Sequence, residues 1–349
     1  MTDGKFVPTY YRLTVKAVHE ETDEAKSFVL LPEPANASLF HYNPGQFISF
    51  RIPHPEGIIT RSYSLSSAPS ADPFMRICVK RVVGGRGSNW FNDYLRIGAC
   101  IDASLPSGRF VLRNQKAPLL LIAGGSGITP CISLVKQALL ETERKVALLY
   151  ANQCATAIIY RNELDQLEAQ FSNRFKCRYW LDDTSGFMKP NDIISFSREL
   201  EEAESYICGP EPLMDMAEKT LAAFFGKNAW IMTERFMSPD DKPVSAVGLG
   251  SSEQPALIDH FRITLDGDDH KVPYIAGMTL LQTALAAGVD VPVSCTEGHC
   301  GTCMSQLRCG EVDMVSTKAL SKSNLRRGYV LACQSRPSTS EPIWLDFDL

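Results

Sequence analysis

Cys295-Thr296-Glu297-Gly298-His299-Cys300-Gly301-Thr302-Cys303 sets three thiols at C-x4-C-x2-C spacing, and a fourth, Cys333, follows 30 residues later in Leu331-Ala332-Cys333-Gln334. A tight loop can wrap three thiolates around a binuclear iron cluster while a distant strand supplies the fourth, so the spacing reads as a 2Fe-2S ligand set. Gly298 and Gly301 relax the backbone there and let N–H groups turn toward the sulfurs, which helps set the reduction potential. Structural zinc usually draws on paired C-x2-C units, and this loop holds only one. A Rieske centre needs two histidines, whereas only His299 is near. His299 is expected to face solvent and Cys309 to be packing, with an alternate ligand as the other reading of Cys309.

The other cysteines, Cys78, Cys100, Cys131, Cys154, Cys177, Cys208 and Cys309, are scattered, and the total of 11 is odd. With no secretion-type apolar stretch after Met1, this argues against a disulfide framework. No apolar run approaches the ~20 residues that cross a bilayer, so the expectation is a cytoplasmic protein without a membrane partner. A net charge of −5 lacks the basic footprint of a nucleic-acid binder. Hydrophobic residues at 44% and charged residues at 21% suit packed globular domains.

The 349 residues suggest two or three domains at roughly 150 residues each. Residues 8–115 show short alternating strand candidates, at 12–18, 27–31, 46–51 and 74–80, punctuated by Pro44-Gly45, Pro55-Glu56-Gly57, Gly84-Gly85 and Ser107-Gly108. That texture suggests an antiparallel β-barrel or sandwich. Residues 116–236 alternate apolar strands with helical patterns, which reads as a parallel α/β sheet. Residues 237–257, rich in Ser, Pro and Gly, read as a tether, with an ordered arm as the alternative. Residues 258–349 restart with strands, a helix at 279–287, the cysteine loop and a last strand at 342–348.

Arg61-Ser62-Tyr63-Ser64 follows Pro44-Gly45-Gln46-Phe47, and Gly85-Arg86-Gly87-Ser88 ends 24 residues after Ser64. Either phrase alone occurs by chance. Their order and spacing resemble the R-x-Y-S and G-x-x-S motifs of the ferredoxin–NADP reductase superfamily. The resemblance implies that Arg61 neutralises a flavin pyrophosphate with its forked donor and that the Tyr63 ring stacks on the isoalloxazine. It implies that the Ser64 hydroxyl reaches the N5 edge where hydride arrives, with Ser62 completing the motif. Gly87 and Ser88 would sit at a helix N-terminus, whose N–H groups and dipole favour an anion. Ile77, Val79 and Lys80 resemble the FAD-type members, whose adenosine runs along that strand, so FAD is expected rather than FMN.

Gly124-Gly125-Ser126-Gly127-Ile128-Thr129-Pro130 follows an apolar strand and opens a helix, the context that gives a glycine-rich loop meaning. Gly125 and Gly127 let the backbone approach a diphosphate, and Thr129 and Pro130 lead into the first helical turn. The G-x-G-x-x-P form is that of the superfamily. Cys208-Gly209-Pro210-Glu211-Pro212-Leu213-Met214 resembles its C-G-P-x-P-M-M. There the cysteine lies beside the nicotinamide C4 and flavin N5 without acting as a covalent nucleophile, and Gly209 and Pro210 complete the motif. In Thr233-Glu234-Arg235-Phe236 the resemblance implies that Phe236 covers the flavin until nicotinamide displaces it and that Glu234 orients or relays nearby. Terminal packing is the alternative for both. A 2′-phosphate needs Lys or Arg after the second strand of this domain. Residues 150–156 offer none and Arg161 sits further on, so NADH is expected, with NADPH as the alternative.

Gly310-Glu311-Val312-Asp313-Met314 and Gly328-Tyr329-Val330-Leu331-Ala332-Cys333-Gln334 are phrases typical of plant-type ferredoxin domains fused to reductases, which implies a β-grasp. The chain is thus expected to be a multidomain α+β protein: a flavin β-barrel, an α/β parallel-sheet nicotinamide domain and a β-grasp ferredoxin. It resembles reductase components of multicomponent oxygenases, by phrase those serving 3-ketosteroid 9α-hydroxylase and phenylacetyl-CoA epoxidase, with the linker and the Thr-Glu-Arg-Phe ending favouring the steroid group. That implies electron flow from NAD(P)H through FAD and the cluster to an iron-containing terminal oxygenase. A hybrid-cluster protein or a desaturase as acceptor, and a redox-sensing iron–sulfur protein, are the alternatives. Residues 258–349 hold 11 acidic and 8 basic side chains, so an acidic docking face for a basic partner is one expectation and a plain solvated surface the other.

Overall fold

The structure is a computed structural model and describes residues 9–113, 116–200, 202–236, 258–298, 300–320 and 322–348. The proposed tether, residues 237–257, and His299 lie outside the described residues. The chain divides into two units, one of them Tyr10–Phe236 and the other built on the C-terminal residues from 258.

The first unit opens with six antiparallel strands: β1 (Tyr11–Thr22), β2 (Ala25–Pro32), β3 (Phe47–His54), β4 (Gly57–Ser64), β5 (Met75–Lys80) and β6 (Cys100–Ala103), in the order β4-β3-β6-β1-β2-β5. The ladder closes on itself where Leu65 bridges Ile77 and the Ser66 N–H donates to the Arg76 carbonyl at 2.7 Å. Alternating inward residues such as Leu13, Val15, Phe28, Leu30, Phe50, Ile52, Ile77 and Val79 fill the barrel, as the two-residue period of a half-buried strand requires. The motif Arg61–Ser64 lies inside β4. Its register against β3 runs from Phe47↔Ser64 to His54↔Gly57, so Arg61 and Tyr63 share one face and Ser62 and Ser64 the other. Helix α1 (Arg86–Tyr94) follows, with Gly85 as its N-cap.

The same unit continues with β7 (Leu119–Gly124), α2 (Ile128–Glu141), β8 (Val146–Asn152), α3 (Arg161–Gln170), β9 (Phe175–Leu181), α4 (Asp182–Ser185), α5 (Pro190–Ser197), β10 (Glu204–Cys208), α6 (Glu211–Phe225) and β11 (Trp230–Glu234). The strands are parallel, in the order β11-β10-β7-β8-β9. All of β7 and β10 is buried; β7 accordingly reads as an unbroken apolar run, whereas β10 opens with Glu204, whose buried carboxylate pairs with Arg144 at 2.8 Å. Leu119, Leu121 and Ala123 face α2 and α3, whereas Leu120 and Ile122 face α5 and α6. Chain order reverses between β7 and β10, and the carboxyl ends of strands at such a switch point bound a ligand crevice.

Barrel and parallel sheet are joined by a buried polar network. Lys136 of α2, only 2% exposed, pairs with Asp72 at 2.9 Å and with Glu163 of α3, and donates to the Ser66 carbonyl at 3.3 Å. Arg76 of β5 pairs with Glu163 at 2.7 Å. Tyr160, at the left-handed φ of 61°, bonds through its hydroxyl to Ser27 at 2.8 Å and Ser66 at 2.7 Å. Such a φ is rare for a bulky residue, and contacts from both halves hold it.

The C-terminal unit comprises β12 (His260–Leu265), β13 (Asp268–Pro273), α7 (Leu280–Ala286), β14 (Met304–Cys309), β15 (Val312–Met314), α8 (Lys322–Arg326), β16 (Tyr329–Leu331), β17 (Ser335–Pro337) and β18 (Trp344–Asp346). The main sheet has the order β13-β12-β18-β14-β16, with β12 and β18 parallel and the other pairs antiparallel. α7, capped by a Thr279–Gln282 capping box, packs Leu280, Leu281 and Ala284 into its core. This is the β-grasp arrangement. No helix among the described residues is long and apolar enough to cross a membrane.

Candidate functional site

Three groups of residues meet at the crevice of the first unit. The first is the end of β4. Ser64 is 2% exposed and donates its hydroxyl to Glu234 Oε2 at 2.8 Å. Tyr63 rests edge-on against Phe91, centroids 4.9 Å apart, and burial raises its phenol well above the ordinary range. Arg61 and Tyr63 also crowd the start of α1: a Cβ on Gly87 would lie 2.7 Å from Arg61 Cγ and 3.3 Å from the Tyr63 hydroxyl. Arg61, Tyr63 and the first turn of α1 therefore converge, and the Arg61 guanidinium donates to the Thr60 carbonyl at 2.8 Å.

Three expected residues have other engagements. The Ser88 hydroxyl accepts the Val82 N–H at 3.1 Å and so caps the preceding turn. The Ser62 hydroxyl bonds Ser49 at 2.8 Å. Lys80 pairs with Glu24 at 3.5 Å. Ile77 and Val79 are fully buried in the barrel core, so a molecule lying along β5 would meet their backbone.

The second group is the glycine-rich loop. Gly127 has no room for a side chain: a Cβ would stand 2.1 Å from the Cys208 carbonyl oxygen. That contact brings the start of α2 directly against the end of β10. Tyr150 lies beneath, donating its hydroxyl to the Gly125 carbonyl at 2.9 Å and accepting the Ile159 N–H at 3.3 Å. The Thr129 hydroxyl donates to the Ser126 carbonyl at 3.0 Å, so it shapes the loop, and buried Pro130 follows in the same turn. Gly209 lies against Gly124, with only about the space of a hydrogen between backbones: a Cβ would sit 2.9 Å from Gly124 N. Pro210 caps α6.

The third group is the end of the sheet. Cys208 pairs in register with Glu234 on β11 and Ala123 on β7. It is fully buried, and burial, then the Glu234 and Cys131 neighbours, push its thiol well above the usual range. It is held as a neutral thiol, not a thiolate nucleophile. Glu234 keeps partial exposure as a residue, but its carboxyl is enclosed. Burial pushes that carboxyl up to about 8, against the opposing pull of the Ser64 hydroxyl. At neutral pH it is mostly protonated, able to donate as well as accept. Arg235 turns the other way, to Asp215 at 2.7 Å and Glu218 at 3.4 Å on α6, and anchors the strand end from which Phe236, 42% exposed, projects.

In the C-terminal unit the four patterned cysteines form two pairs. The Cys295 N–H donates to Cys300 Sγ at 3.5 Å, and the Cys333 N–H donates to Cys303 Sγ at 3.4 Å. A hydrogen bond between the two thiols, then burial, raises Cys303, and burial raises Cys300. Two thiol pairs suit two irons with two protein ligands each. Gln334 Nε2 donates to Cys333 Sγ at 3.3 Å and to the Thr296 carbonyl at 3.1 Å. Thr296 sits at φ 58°, strained for a β-branched residue, and this contact pins it.

Sequence reading missed the Lys136 network, Tyr150 and Gln334. A lysine inside the largely apolar stretch Cys131–Leu140 was a visible signal, and Gln334 stood in the ferredoxin-type phrase without a role; Tyr150 carries none.

Barrel, nucleotide-type sheet and paired-thiol β-grasp together define a modular flavin- and nicotinamide-dependent iron–sulfur oxidoreductase. Family models agree: an oxidoreductase FAD-binding domain matches residues 12–112, an oxidoreductase NAD-binding domain residues 121–219, and a 2Fe-2S iron-sulfur cluster binding domain residues 263–338. The ferredoxin reductase component of 3-ketosteroid-9-alpha-monooxygenase from Mycobacterium tuberculosis is 37% identical over 96% of this chain and 95% of its own. A component of the 1,2-phenylacetyl-CoA epoxidase from Escherichia coli is 29% identical over 97% of this chain and 98% of its own. Phthalate dioxygenase reductase shares the fold, with a TM-score of 0.59 over 97% of this chain and 98% of that one at 24% identity. The chain belongs to the family of ferredoxin-fused reductase components of multicomponent oxygenases, within the ferredoxin–NADP reductase superfamily.

Proposed function

We propose that this chain carries electrons from NADH through FAD and a 2Fe-2S cluster to an iron-containing terminal oxygenase in the cytoplasm. The carrying observation is the Ser64–Glu234 hydrogen bond, which joins the barrel to the sheet end that bears Cys208. When bound, FAD takes the nicotinamide's hydride as a pair and releases electrons singly to a cluster that accepts one at a time. The residues do the rest. Arg61 and the first N–H groups of α1 hold the pyrophosphate, Tyr63 bears the ring, and Gly125 and Gly127 admit the dinucleotide backbone. Neutral Cys208 packs at the reacting edge, Glu234 holds a proton beside Ser64, and Phe236 covers the ring until displaced. Cys295, Cys300, Cys303 and Cys333 hold the cluster.

The modules are taken as residues 8–115, 116–236 and 258–349, joined by 237–257. NADH is favoured because residues 150–160 contain no Lys or Arg and Asp182 and Asp183 follow the neighbouring strand β9, charges that oppose a 2′-phosphate. The 37% identity to a steroid-type reductase favours a 3-ketosteroid 9α-hydroxylase as partner.

The test is an anaerobic absorbance spectrum before and after one equivalent of NADH. Flavin and iron–sulfur bands that bleach together support the reading. A flavin that bleaches while the cluster does not points to a sensor, and a colourless protein that takes up only zinc removes the ferredoxin assignment.

A further inference from the structure

Charge in the C-terminal unit is segregated. Residues 297–336 carry six basic and three acidic side chains, whereas the rest of residues 258–349 carry two basic and eight acidic. The acidic share gathers at the β12–β13 hairpin, where Asp348 accepts the Asp266 and Gly267 N–H groups at 2.7 and 2.8 Å. β13 is one edge of the sheet and β16 is the other. The cysteine loop leads into β14, and Cys333 follows β16, so the paired thiols lie at the edge away from the acidic hairpin.

Residues 315–320 and 322–328 border that loop. The Val315 N–H donates to the Gln334 carbonyl at 3.1 Å, beside ligand-pattern Cys333. A Cβ on Gly301 would meet Ala319 Cβ at 3.8 Å. Asn324 Nδ2 reaches Met304 Sδ at 3.2 Å, next to Cys303. Among the residues whose side chains are described, this arc holds Lys318, Arg326 and Arg327 and no acidic residue. Arg326 and Arg327 are exposed, with no ion pair among the described residues. Between the charges stand Val315, 59% exposed, and Leu325, 40% exposed. Apolar anchors within a charged rim are the anatomy of a transient protein interface.

We infer that the arc of residues 315–320 and 322–328 is the face through which the cluster passes electrons outward, and that its partner presents an acidic patch there. This rests on the reading of the chain as a donor to a protein partner, and it reverses the acidic docking face expected from net charge. Opposite charge at the contact raises the encounter rate and orients the donor, and salt screens it.

The test uses the whole holoprotein, its cluster reduced with dithionite and the excess removed, mixed in stopped flow with the acidic haem protein cytochrome b5 or the basic cytochrome c. The expected result is cluster oxidation by cytochrome b5 that slows about tenfold from low to high ionic strength, within the range of electrostatic steering. Cytochrome c should show the opposite salt trend. Arg326→Glu with Arg327→Glu should abolish the preference for cytochrome b5, and Arg326→Gln with Arg327→Gln should weaken it. Unchanged visible absorbance and circular dichroism establish that each variant keeps its cluster. A preference for cytochrome c, or a preference for cytochrome b5 that survives both variants, overturns the inference. Chemical reduction separates the two readings: a cluster that NADH cannot reduce but that still discriminates by charge refutes the electron path and leaves the arc standing.

Discussion

Glu234 sets a pH dependence that can be worked through. Its carboxyl is pushed up to about 8 from an ordinary 4.5, by burial first, with the Ser64 hydrogen bond opposing. About nine-tenths of the molecules then hold the proton at pH 7 and about one-tenth at pH 9. If the protonated form supports hydride entry, single-turnover flavin bleaching at saturating NADH should fall about tenfold between those pH values. Glu234→Gln keeps the neutral amide and should give a flat profile over the same range. Ser64→Ala removes the lowering contact and should move the fall to higher pH. The same group acts on stability. The folded carboxyl binds its proton more tightly than the unfolded one, so its contribution is complete below about 4.5 and is lost as pH rises toward 8. Stopped-flow absorbance from pH 6 to 10 (roughly the span needed to bracket one titration) decides the matter. An identical limb in Glu234→Gln, or a level wild-type profile, refutes the assignment.

Lys136→Met would leave Asp72 and Glu163 facing each other without their shared cation. Because both carboxylates keep some exposure, the expected loss is about 2–3 kcal/mol, below that for a fully buried pair, read from urea midpoints. Gly127→Ala must push against the Cys208 carbonyl. It should cost about 3 kcal/mol, the upper end of overpacking, and weaken NADH binding in a spectral titration. Gln334→Leu removes the donor to Cys333 Sγ. With a hydrogen bond worth about 1 kcal/mol, the cluster midpoint should fall by about 40 mV for one electron, measured by potentiometric titration followed by EPR. Cys303→Ser should retain flavin absorbance while losing the 2Fe-2S bands.

Much of this architecture was legible because it depends on period and punctuation. The unbroken apolar run before Gly124 could only be a strand buried on both faces, and the spacing of Cys295, Cys300, Cys303 and Cys333 carries its own chemistry. Strand β4 was hidden because Gly57, Thr60, Arg61 and Ser62 give it little apolar alternation; its partner β3 decides its state. The meeting of Ser64, Cys208 and Glu234 was implied by three separate phrases, but the Ser64–Glu234 bond spans 170 residues, and no local pattern encodes such a distance. Ser88 and Thr129 were matched by motif, yet nearby backbone groups claim their hydroxyls, a competition that a motif does not display. Net charge, from which an acidic face was expected, averages over a domain whose acidic and basic side chains are segregated along the chain.

The Lys136 network also bears on how such chains can be recombined. Its members are divided between the barrel, which gives Asp72 and Arg76, and the parallel sheet, which gives Lys136 and Glu163. A chimera that takes one half from a chain lacking the matching charges inherits unmatched charges in its core. A crossover within residues 237–257 divides none of these partners. Swapping ferredoxins between relatives at that point should yield folded hybrids, whereas swapping barrels should require the four charged positions to travel together.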